Sequence, residues 1–110
     1  MTITSVETGH SRQERILTLL RQVFDHHRHR LRGYRILLFG SRATGRAQER
    51  SDFDIGVIGE RPLPLEDFYA IEDDIEALPT LYQIDWVDLN RASDELREEA
   101  LKEGRIIYEA

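Results

Sequence analysis

Hydrophobic positions in this chain switch between a helical and an alternating period, and the switches mark its elements. From residue 11 to about 28, Ile16, Leu17, Leu20, Val23 and Phe24 recur at helical spacing and Leu19 widens the stripe, which predicts an amphipathic helix with a broad apolar face. Ser11 with Glu14 three residues on has the form of a capping box and places the helix start there. Gly33 breaks the chain before Ile36-Leu37-Leu38-Phe39, a short buried strand ending at Gly40, and Phe53, Ile55 and Val57 alternate as a second strand. Gly59 and the Pro62/Pro64 segment then turn into a helical stretch. Leu65, Phe68, Tyr69, Ile75 and Leu78 recur there, Glu66 and Asp67 suit the positive end of the helix dipole, and Pro79 stops it. The apolar run at residues 84–89 predicts a third strand. Residues 93–103 predict a helix closed by Gly104, and Ile106-Ile107-Tyr108 a last short strand. Residues 1–10 are polar and expected to be disordered, which leaves 11–110 as one domain. Helices alternating with strands around one sheet predict an α/β core, without fixing the strand order.

The chemistry concentrates between the first two strands. Gly40-Ser41 is followed by ten residues and then Asp52-Phe53-Asp54. Strand side chains alternate, so Asp52 and Asp54 share a face, roughly 7 Å apart along the chain. Paired carboxylates on a rigid strand suit Mg²⁺, which takes oxygen ligands and is held by one or two carboxylates plus substrate phosphates. Gly40-Ser41 offers a turn whose N–H groups and hydroxyl can meet phosphate oxygens at the start of a short helix. Asp85 and Asp88 both lie in the third apolar run, and their odd offset lets only one face the pair. A charge in so apolar a run needs a partner or a metal to offset its desolvation.

These residues resemble the nucleotidyltransferase superfamily that includes DNA polymerase beta, and most closely its minimal nucleotidyltransferases. The resemblance runs from about Leu31 to the C-terminus and is dense at Gly40-Ser41-Arg42-Ala43, Gly45, Ser51-Asp52-Phe53-Asp54 and Ile84-Asp85-Trp86-Val87-Asp88-Leu89. It implies an α/β (α+β) nucleotidyltransferase fold, a mixed sheet with helices packed against it. It implies that Gly40 and Ser41 bind a triphosphate, with Arg42 beside them, and that Asp52 and Asp54 hold metal. The family's apolar-Asp-apolar-apolar pattern selects Asp85 as the third carboxylate and leaves Asp88 to end the strand or cap the next element. With two Mg²⁺ ions on Asp52, Asp54 and Asp85, the expected reaction is transfer of a nucleoside monophosphate, AMP from ATP, to a hydroxyl. Minimal nucleotidyltransferases are typically paired with an all-helical HEPN-type toxin, which implies an antitoxin that binds its partner, adenylylates a hydroxyl on it, or both. The alternative is a non-catalytic subunit that neutralises a helical partner by complex formation alone. A bare phosphohydrolase would not need the Gly-Ser turn.

Length and charge narrow the setting. The chain has 110 residues, room for one domain and no second lobe for an acceptor. Its formal net charge is −6, with 21 acidic against 15 basic residues, which argues against general nucleic-acid binding. Arg42, Arg46 and Arg50 nevertheless cluster between the turn and the carboxylates, either as phosphate neutralisers or as a solvated basic loop. The absence of cysteine, of a signal-peptide pattern in MTITSVETGH and of any membrane-length apolar run fits a cytoplasmic protein. His26, His27 and His29, and the acidic run Glu72-Asp73-Asp74 with Glu76, are read as structural or solvated groups rather than metal sites. Leu19, at the edge of the first helix's stripe, is the candidate for exposure to a partner.

Overall fold

The broad apolar face of the first helix packs into the larger of two cores. In the computed structural model, which describes residues 9–48 and 50–110, helix α1 (Gly9–His26) buries Ile16, Leu17, Leu20, Val23 and Phe24. Strands β1 (Arg35–Phe39), β2 (Phe53–Ile58), β3 (Ile84–Asp88) and β4 (Arg105–Glu109) form one mixed sheet in the order β3-β2-β1-β4. The β1–β2 and β1–β4 pairings are antiparallel, and β2–β3 is parallel. The four-residue helix α2 (Ser41–Thr44) follows β1 directly. Helix α3 (Leu65–Glu76) bridges β2 and β3, as a parallel pairing requires, and α4 (Asp94–Glu103) leads into β4.

Alternation along the strands sends side chains to two cores. Ile36, Leu38, Phe53, Ile55, Val57, Trp86 and Ile107 pack with α1 and α3. Leu37, Phe39, Ile58 and Leu89 pack on the other side with Ala100 of α4. Trp86 is the hinge of the first core, stacked between Phe24 of α1 (5.5 Å) and Phe68 of α3 (5.4 Å), with its indole N–H donating to the Phe68 carbonyl at 3.1 Å. These elements make a single α/β domain.

Three expectations change. Helix α1 already includes Gly9, so Ser11 lies inside it and is not its cap. Glu14 reaches instead to β4, where both its oxygens accept from Arg105 at 2.9 and 3.2 Å. Of the segment expected to be disordered, residues 1–8 lie outside the described residues. Leu19 is half-buried against the α1 core rather than exposed; the large exposed apolar side chains are Leu65, Tyr69, Leu81, Leu101 and Ile106. The acidic face of α3 is not purely solvated either. Asp74 meets the buried His27 through Nε2 at 2.5 Å, and Asp67 takes Arg30 at 2.6 Å, so two polar contacts pin the chain after α1 to α3. His26 and His29 are exposed.

Candidate active site

The site forms where β1 ends and β2 and β3 begin. Because β2 and β3 are parallel, Asp54 and Asp85 are register partners, and both point to the face that carries α4. Asp88, at an odd offset from Asp85, points the other way. It is buried, accepts from the Leu63 and Asn90 backbone N–H groups at 2.9 and 3.0 Å, and lies 3.4 Å from Arg91. It ties the chain ahead of α3 to the end of β3 and stands apart from the Asp54–Asp85 pair.

Gly40 makes room for Asp54. Its φ of 72° and ψ of −156° belong to backbone space that is nearly closed to other residues. A Cβ there would sit 2.2 Å from Asp54 Oδ2. The Gly40–Ser41 turn and the Asp54 carboxylate are therefore in contact, and Ser41 is the first residue of α2.

Burial pushes Asp54 up from 3.8 to about 6, reinforced by the charges of Asp85 and Asp52 and by a hydrogen bond with Asp85. Asp85 also accepts from the Gln83 side chain at 3.1 Å. Asp52 is exposed at the mouth, beside a hollow of about 420 Å³ that it lines with Arg50, Leu81, Tyr82 and Gln83. A groove of about 650 Å³ runs past Gly40, Asp54 and Asp85 and is flanked by Glu72, Glu76 and Glu99.

Among the described residues no three acidic, histidine or cysteine side chains converge into a ready cation cage. The donor set still suits a hard divalent cation: its groups are all carboxylates, and the crowding that raises Asp54 is relieved by a positive charge. Asp54 and Asp85 would hold such an ion, with Asp52 closing from the solvent side.

Arg42, expected beside the triphosphate, is buried in α2 next to Ser41. Its guanidinium is buried under Phe53 and Tyr82 and donates to the Ser51 carbonyl and to Gln13. Arg46 and Arg50 are exposed, Arg46 lying 3.7 Å from Glu103 of α4. The sequence gives no local signal for Gln13, Tyr82, Gln83 or Glu99 at this site, and Glu72 and Glu76, read there as a solvated face, flank the groove. Their nearness to the site depends on strand order and helix placement, which no local pattern encodes.

Comparison with known proteins adds a family and a fold. The family described as polymerase beta, nucleotidyltransferase, matches residues 29–110. No curated protein matches the chain. A chain of a toxin–antitoxin complex crystallised with AMP-PNP superposes with a TM-score of 0.62 at 24% identity, over 86% of this chain and 73% of that one. A chain of the complex of tri-AMPylated Shewanella oneidensis HEPN toxin with MNT antitoxin gives 0.53 at 24% identity, over 94% and 74%. A protein assigned as a minimal nucleotidyltransferase gives 0.55 at 26% identity, over 93% and 98%. At these identities the two complexes establish likeness of fold.

Proposed function

The chain belongs to the polymerase beta nucleotidyltransferase family, and from that membership we propose that it transfers AMP from ATP to a hydroxyl of a helical HEPN-type partner, as the antitoxin of a two-component pair in the cytoplasm. The observation that carries this reading is the contact between the Gly40 turn and an Asp54 that is register-paired with Asp85. A phosphate-receiving turn and an acidic pair meet at one strand end, which is the juxtaposition nucleotidyl transfer needs.

The chain's own groups have distinct tasks in that reaction. Gly40 and Ser41 receive the triphosphate through backbone N–H groups and the Ser41 hydroxyl. Asp52, Asp54 and Asp85 would hold two Mg²⁺ ions, which would neutralise the phosphates and acidify the acceptor hydroxyl. The acceptor oxygen bonds to the α-phosphorus in line with the departing bridge oxygen, and pyrophosphate leaves with that bond's electron pair. Asp85, beside the nucleophile, takes the hydroxyl proton. Rate enhancement comes mainly from positioning and charge. The likeness to a chain of the complex holding the AMPylated HEPN toxin favours a protein of that kind as the acceptor.

A second reading is supported by the exposure of Asp52 and the lack of a preformed cage among the described residues: the chain neutralises its partner by binding alone. Co-expression with the neighbouring gene product, followed by intact-mass measurement after incubation with ATP and Mg²⁺, separates the two. The transferase reading expects AMP-sized mass on the partner, and none with Asp52→Asn or Asp54→Asn. A stable complex that gains no mass with any nucleotide would leave binding alone.

A further inference from the structure

Arg42 is one of three buried polar or charged residues among those described, and the transfer mechanism gives it no task. Its guanidinium carbon lies 4.1 Å from the centre of the Phe53 ring and 5.1 Å from that of Tyr82. In the guanidinium plane, Nε and Nη2 both donate to the Ser51 carbonyl, at 2.9 and 2.8 Å, and Nη1 donates to Gln13 Oε1 of α1 at 3.2 Å. Ser51 and Phe53 are the residues on either side of Asp52. Tyr82 leads into β3, which carries Asp85, and Phe53 and Tyr82 also meet edge to face at 5.3 Å. One side chain therefore grips both flanks of Asp52 and the approach to β3, and is itself anchored on α1.

We propose that Arg42 is a positioning residue that holds Asp52 at a fixed reach from the Asp54–Asp85 pair, acting on metal and nucleotide through Asp52 rather than by touching them. The inference rests on the nucleotidyltransferase reading above. Asp52 is exposed and lies just before β2; Gln48 holds Ser51 from one side, accepting from its N–H at 3.0 Å and donating to its Oγ at 2.9 Å, and Arg42 holds the Ser51 carbonyl that leads into Asp52. The geometry demands arginine. A planar fork can satisfy one carbonyl twice while its faces lie against two rings, whereas a lysine ammonium can do neither together. Desolvation works against the charged guanidinium, and Tyr82 and Asp52 favour it.

The test is a double-mutant cycle read by Mn²⁺ binding, followed by electron paramagnetic resonance on the full-length chain with a non-hydrolysable ATP analogue. Arg42→Lys should weaken Mn²⁺ about tenfold, the lower end of what losing a ligand-orienting partner does. In an Asp52→Asn background the same change should have no further effect. Gln13→Ala, which keeps Arg42 and removes only its anchor, should give a smaller loss that also disappears with Asp52→Asn; it decides the matter if Arg42→Lys does not fold. Wild-type affinity in both variants, or losses that persist undiminished beside Asp52→Asn, would overturn the inference. Persistence would mean direct contact or general loosening. A wild-type chain that binds neither Mn²⁺ nor nucleotide would instead bring down the site reading, and this inference with it.

Discussion

The Asp54 carboxylate occupies the space that a side chain on residue 40 would need, with its Oδ2 2.2 Å from the position of a Cβ there. Gly40 is thus held to glycine twice, by its positive φ and by its neighbour. Gly40→Ala must strain the turn or displace Asp54. We expect it to destabilise the domain by about 1–3 kcal/mol, the usual cost of backbone forced into glycine-only space, and to abolish nucleotide binding even where the protein folds. Urea unfolding and nucleotide titration check the two parts separately. Wild-type nucleotide affinity in a folded Gly40→Ala would show that turn and carboxylate are independent.

Asp54 links the same site to pH. Its carboxyl is raised from 3.8 to about 6 in the folded chain, so the folded state holds the proton more tightly than the unfolded one. Its favourable contribution is complete below the unfolded value and is lost as pH rises through the folded value. Without metal, thermal stability should therefore fall between about pH 4 and about pH 6 more steeply in wild type than in Asp54→Asn. A Mg²⁺ ion held by Asp54 would take its ionised form, so Mg²⁺ should raise the melting temperature more at about pH 7.5 than at about pH 5. A Mg²⁺ effect independent of pH would remove Asp54 from the cation site.

Asp85 and Asp88 should separate by phenotype. Asp85→Asn removes a charge that opposes Asp54, so the chain should stay folded while transfer to the partner is lost and nucleotide binding largely persists. Asp88→Asn alters a buried acceptor of two backbone N–H groups and should cost on the order of 1–3 kcal/mol in stability, with turnover preserved in the folded fraction. Chemical denaturation beside the mass assay distinguishes them, and the reverse pattern would exchange their roles.

Much of this architecture is legible in the sequence because local pattern and tertiary role agree. The strands begin within a residue of where alternation puts them, and Ser93 caps α4 by accepting from the Leu96 N–H at 3.2 Å. The opposite faces of Asp85 and Asp88 follow from strand geometry alone. What stays hidden depends on contacts between distant segments. Glu14 has the spacing of a capping residue, yet Arg105 lies across the fold and holds it in an ion pair. Arg42 sits next to the Gly40–Ser41 turn in sequence, but Gln13 of α1, Phe53 of β2 and Tyr82 of the loop before β3 enclose it. The apolar stripe of α1 is wide because α3 packs beside it as well as the sheet, which leaves Leu19 partly covered.

The three neighbouring histidines are likewise told apart by a distant contact. His27 is buried with Nε2 on Asp74 and Nδ1 without a partner, while His26 and His29 face solvent. The three would behave alike if they formed a metal site. Only His27 joins the chain after α1 to α3, so His27→Ala should remove both packing and a hydrogen bond, at about 1–3 kcal/mol. Asp74→Asn should cost less, because its half-exposed side chain can be resolvated and the amide can still accept. His26→Ala and His29→Ala should leave stability within about 0.5 kcal/mol, as ordinary surface changes do. Zinc should not raise the melting temperature of the wild type through these residues. Equal losses from all three histidine variants, or a zinc-dependent rise that any one of them abolishes, would mean the cluster binds metal after all.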